Sequence, residues 1–196
     1  MADETAALPA PARPRFRIRL VRRFMGDGRG AAAIEFAIVA IPFFALVFAI
    51  IETAIVFFAG QVLDTAVQNS ARLIRTGQVQ QQGMNQADFR QDVCERLSGM
   101  FECGSRLFVD VQTYSSFGAV SYEPPIEEDE EEFDEEDEAY APGGAGEIVV
   151  VRVFYAWPVI LDFFGLDLSN MAGGNRLLGS VAAFRNEPFP WSGPAT

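Results

Sequence analysis

The apolar residues of this chain are gathered into one stretch instead of being spread along it. Residues 36–51, FAIVAIPFFALVFAII, carry no charge, and 53–59 extend the run beyond a single Glu52. About 20 residues at 1.5 Å each cross a hydrocarbon core of ~30 Å, so 31–59 predicts a transmembrane helix with some tilt. A core helix of a water-soluble fold would show a polar stripe, and none appears. Pro42 removes one backbone hydrogen bond inside the run and predicts a slight bend. After the run, residues 61–80 place Val62, Ala66, Ala71 and Ile74 at helical spacing. The anchor helix is therefore expected to continue as a stalk, to a total of roughly 40 residues. Gly83 is the expected break, and Asn85 with Asp88 three positions on reads as a capping pair opening a second helix through about Leu97, with Phe89, Val93 and Leu97 as its apolar side.

Beyond these helices the period changes to two. Residues 107–114 alternate Leu107, Val109 and Val111 with Asp110 and Gln112, the pattern of a half-buried strand. Residues 147–155 are richer in valine and read as a more central strand, and 177–185 are a third. Helices come before strands, which predicts an α+β class with a small, mainly antiparallel sheet resting on the stalk. Between the first two strands, residues 127–138 hold 11 acids in 12 positions, broken only by Phe133. Such a block repels itself, and a disordered acidic loop is expected over about 123–146. Clustered carboxylates suit calcium, but no glycine-spaced loop arranges these around one ion.

Charge sets the topology. Residues 1–30 carry seven arginines against three acids, whereas 61–196 carry eight arginines against 22 acids. An arginine-rich flank beside an apolar segment stays in the cytoplasm, so 1–30 is expected inside and 60–196 outside the inner membrane. A nucleic-acid arm is the other reading of the basic tail, disfavoured because a membrane segment follows directly, and no nucleic-acid partner is expected. A cleaved secretory signal is also disfavoured, because the apolar stretch is too long and runs on as the same helix.

The chain contains no histidine, so the usual general base is missing, and the glycine motifs that cradle phosphates are absent. No enzyme, no catalytic residue and no cofactor are expected. Cys94 and Cys103 both fall on the outer side of the anchor, where an even pair favours a disulfide; two thiolates without histidine leave a zinc site short of ligands.

Glu35 and Glu52 stand inside or beside the apolar run, and a carboxylate at depth costs at least ~2.5 kcal/mol, so each demands a reason. Glu35 lies five residues after Gly30, which ends the basic stretch, and precedes Phe36. This arrangement, Gly30-Ala31-Ala32-Ala33-Ile34-Glu35-Phe36, resembles the processing site of class III, type IV-like prepilins. There a membrane aspartic peptidase cuts after the glycine. It also resembles the start of the TadE/TadG-like proteins of the tight-adherence (Flp) pilus system. The closing of the run at Ile50-Ile51-Glu52-Thr53, and the stretches 107–114, 148–155 and 183–188, are similar to TadE-like proteins too. The short Flp pilins carry Tyr where this chain has Phe36, and the 30-residue leader is long. The resemblance thus implies a minor, pseudopilin-type component whose partners are the lipid bilayer, other pilin helices, the assembly platform and a prepilin peptidase. The other function class is an unprocessed, membrane-tethered binding or sensor domain. Cleavage between Gly30 and Ala31 would create an α-amino group four residues before Glu35, on the same helix face. That amine would neutralise the carboxylate, in its own chain or a neighbour's, and offset the cost of burying it in lipid.

Overall fold

The computed structural model describes residues 30–97, 99–120, 133, 138–160 and 168–190. The basic leader, apart from Gly30, lies outside the described residues. The chain divides into two compact units, Met1–Leu46 and Val47–Thr196. One helix, α1, covers Ala31–Arg75 without interruption at Pro42. In the first unit the described part is helical from Ala31 onward, with Ile34, Phe36, Ile41 and Phe44 exposed. The helix is long and apolar enough to cross a membrane: its most apolar 18-residue window has a mean hydropathy of 2.7 and no buried residue.

In the second unit α1 acquires a buried stripe at Glu52, Val56, Ala59, Leu63, Ala66, Val67, Ser70, Ala71 and Ile74. Steps of three and four keep these positions on one face. The face is rotated slightly from the one expected, since Leu63 and Val67 are fully buried and Val62 only flanks the core. The expected continuous helix over 61–80 is interrupted at Gly77, whose φ of 75° is a left-handed conformation. A Cβ at Gly77 would also stand 2.5 Å from the Phe189 ring, so a side chain there is excluded twice over. The short helix α2, Gln78–Gln82, follows and ends on Gly83, also left-handed. Helix α3, Gln86–Arg96, opens with the expected capping box: the Asn85 side chain accepts from the Asp88 N–H and the Asp88 carboxylate accepts from the Asn85 N–H. Phe89, Val93 and Leu97 are fully buried.

Three strands, β1 Leu107–Tyr114, β2 Ile148–Pro158 and β3 Asn175–Arg185, form an antiparallel sheet in the order β1-β2-β3. The α+β class and the central place of the valine-rich strand agree with the sequence reading. One face carries Leu107, Val109, Val111, Val149, Val151, Val153, Tyr155, Leu178 and Ala182 into a common core with the α1 stripe and α3. Cys94 and Cys103 are joined as a disulfide, tying α3 to the approach to β1.

The opposite face corrects the expectation of a half-buried β1. Phe108 and Asp110 are buried as well. Phe108 packs with Phe133 and Phe154, and Asp110 pairs with its cross-strand neighbour Arg152 at 2.7 Å. Residues 139–141 run beside β1, with Val111 N–H donating to the Ala139 carbonyl and Ala141 N–H to the Val111 carbonyl. The acidic loop expected over 123–146 lies outside the described residues at 121–132 and 134–137. Phe133 is buried, and Glu138 accepts from Arg90, Gln86 and the Val109 N–H. Within 138–146, backbone pairing with β1 and the Arg90 side chain compensate the last acid, Glu138.

Candidate functional site

The apolar helix brings together the residues singled out at its start. Gly30 leads into α1, and a Cβ built on it would meet no atom within 4 Å. Among the described residues, packing therefore does not require glycine at this position. Glu35 and Phe36 are exposed, and Glu35 makes no hydrogen bond or ion pair among the described residues. A position one helical turn after Ala31 shares its face, so the geometry leaves a carboxylate beside the start of the helix and open to a partner.

Glu52 is different in kind. It is buried at 8% exposure, and its carboxylate accepts a hydrogen bond of 2.6 Å from the Ile160 N–H, 108 positions away. Thr53 next to it donates its hydroxyl to the Ala49 carbonyl. The two acids flagged in the sequence are thus not equivalent: one is displayed and the other is part of the second unit's framework. The Ile160 contact was not legible beforehand, since a backbone donor leaves no mark in the sequence.

Further polar contacts fix the sheet along α1. Ser180 donates to Asp64 at 2.8 Å, and the Glu187 N–H donates to the Arg75 carbonyl at 2.9 Å. Ser70 donates to Asp92, which also receives two hydrogen bonds from Arg96. Burial pushes the Asp92 carboxyl up, but the hydrogen bonds from Arg96 and Ser70 and the Arg96 charge outweigh it and hold its pKa below the usual value. The Asp92 contact correspondingly raises Arg96. Burial, with the charge of Asp88, raises the Tyr140 phenol well beyond its ordinary range, so its hydroxyl stays protonated and donates to the Met84 carbonyl.

Two buried ion pairs escaped the sequence reading, Asp110 with Arg152 and Glu138 with Arg90. A signal was present, because Arg152 interrupts a valine run in the central strand and a charge there must be partnered. Among the described residues, no group of three or more His, Cys, Asp and Glu side chains is placed to hold a metal ion.

Compared with protein families, residues 30–72 match the model of the family described as TadE-like protein. The match begins at Gly30, includes Glu35 and Glu52, and stops before the sheet. No curated protein and no solved structure matches the chain.

Proposed function

We propose that this chain is a minor, pseudopilin-type structural component of tight-adherence pilus assembly, anchored in the bacterial inner membrane with its N terminus inside and its sheet domain in the periplasm. The observation that carries this reading is the position of the TadE-like match, which opens on the glycine where a prepilin peptidase would cut and takes in both acids of the apolar helix. Two further facts support it. Among the described residues nothing packs against Gly30, and Glu35 is exposed and makes no hydrogen bond or ion pair with any of them. Hydrolysis of the Gly30–Ala31 peptide bond leaves a carboxylate on Gly30 and an ammonium on Ala31. That ammonium and the Glu35 of an adjacent subunit then form an ion pair in lipid, where an unpaired charge is expensive, and this sets one helix in register with the next.

N-terminal sequencing of protein from cells with and without the peptidase tests the reading. Protein from peptidase-containing cells is expected to begin at Ala31, and Gly30→Ala to remain uncut. Glu35→Gln is expected to be cut but to fail in assembly. A start near Met1 in both cells, or normal assembly of Glu35→Gln, would overturn the pseudopilin role and favour an unprocessed, membrane-tethered binding or sensor domain. A reporter active only outside the cytoplasm, fused after Thr196, is expected to be active.

A further inference from the structure

The two edges of the sheet are finished differently. Antiparallel pairing turns alternate residues of an edge strand outward. On β1 these are the odd-numbered positions, since the Ala156 N–H bonds to the Arg106 carbonyl. Three of them are covered: the Leu107 carbonyl accepts from Arg90, the Val109 N–H donates to Glu138, and Val111 bonds to 139–141 through both its backbone groups. On β3 the bonds from the Asn186 N–H to the Glu147 carbonyl and from the Val159 N–H to the Gly174 carbonyl set the same phase, so odd-numbered residues again face away from β2. The first two are covered, Asn175 by the N–H groups of Asn170 and Met171, and Leu177 by the Asn170 side chain. Gly179, Val181 and Ala183 have no such cover among the described residues. Gly179 and Ala183 are exposed, and Val181 is half-buried.

Native sheet edges are blunted by a bulge, a proline or a charged side chain. Here pairing with β2 runs without a bulge from Asn175 to Arg185, and residues 177–184, LLGSVAAF, hold neither charge nor proline. Such an edge is a template for another strand. Its flanks are cationic. A groove between 181–184 and α1 is lined on the helix side by Gln68, Arg72 and Arg75. Arg75 lies 3.6 Å from Glu187, whereas Arg72 and Arg185 are exposed and make no ion pair among the described residues.

We propose that the 179–185 edge of β3 receives an extended segment of another protein, which adds a strand to the sheet and carries two adjacent carboxylates at the end beside Arg72 and Arg185. Neighbouring side chains of a strand point to opposite faces. Two adjacent acids therefore serve both arginines, Arg72 on the α1 side of the sheet and Arg185 on the other. Backbone bonds supply the affinity, and the arginines select the partner. A second copy joined through the same edge brings none of these acids, since β3 has two arginines and no Asp or Glu. Such pairing requires neither cleavage at Gly30 nor a role in pilus assembly.

The test uses the full chain in detergent micelles and three short fluorescent peptides. The first has two aspartates followed by alternating valine and threonine, which matches antiparallel addition; the second has lysines in place of the aspartates; the third is the aspartate peptide N-methylated throughout. Fluorescence anisotropy is expected to show the first binding, the second at least about tenfold more weakly, and the third not at all. Arg72→Glu, at an exposed helix position, is expected to weaken the aspartate peptide and strengthen the lysine peptide, each about tenfold. Amide exchange followed by NMR is expected to slow at Gly179, Val181 and Ala183 when the aspartate peptide binds, and to stay unchanged at Val109 and Val111. No binding of the aspartate peptide at ~1 mM overturns the proposal. So does binding of the N-methylated peptide, which would show side-chain attraction without a strand, or binding that leaves the three β3 amides unprotected. If those amides are already protected in the peptide-free chain, the edge is covered, by a second copy where the chain sediments as a dimer, and the proposal fails.

Discussion

Residues 31–51 and 52–75 belong to one helix, yet they treat their apolar side chains in opposite ways. In the first stretch apolar residues point all round, and Phe36 and Ile41 are 69% and 62% exposed. In the second, from Ala59 onward, they lie in or beside a stripe that the sheet and α3 cover, while Gln61, Gln68 and Arg72 are exposed. Apolar surface gains roughly 25 cal/mol per Å² on leaving water, so the first stretch has no stable place in water and the second has found its cover within the chain. Helix propensity is similar in both; the surroundings differ, and each stretch fails under a different perturbation.

The largest effect is expected in the first stretch. Replacing Phe43 and Phe44 together by arginine costs about 6 kcal/mol of membrane insertion, at about 3 for each charge near the centre of a span. Protein resistant to alkaline extraction should disappear, whereas unfolding of whatever domain is recovered should be unchanged. Leu63→Ala inverts the pattern. It opens a cavity at a fully buried position and should lower unfolding stability by ~2–5 kcal/mol in denaturant titrations, with membrane retention intact. Serine at both Cys94 and Cys103 should cost about 2–3 kcal/mol through the denatured chain, read in the same titration with and without reductant.

Asp92→Asn is expected to be the smallest change, on the order of 1 kcal/mol at neutral pH, since the Arg96 pair is partly exposed. It carries a pH signature. The folded carboxyl titrates below its ordinary 3.8, so its stabilisation is complete above that pH and is lost as the pH falls through the lower, folded value. The Asn variant should lack that part of the acid-side decline.

How far the sequence foretold this structure depended on the distance over which each decision was made. Asn85 and Asp88 are three residues apart, and their cap was legible because the partners share one turn. Alternation in 107–114 and the valines of 148–155 likewise announced strands, and Cys94 and Cys103 a bridge. The burial of Asp110 was not legible, because its cover arrives from Arg152 and Ala139 across a long connection. Gly77 escaped notice because the obstacle to a side chain is the Phe189 ring, 112 positions later. The partner of Glu52 is a backbone N–H, and no residue type encodes one. In the proposed processing site, the residue types at Gly30, Glu35 and Phe36 were legible, while the freedom around Gly30 needed coordinates.

The hydrogen bonds at the two ends of the contact between α1 and the sheet, Glu52 with Ile160 and Arg75 with Glu187, have a mechanical consequence. A helix extracted from a membrane is pulled along its axis. Because the residues that follow β2 and β3 are fastened to it at the two ends of their contact, that pull acts on the contact in shear. The buried stripe from Val56 to Ile74 then shares the strain at once, and the contact cannot peel open one residue at a time.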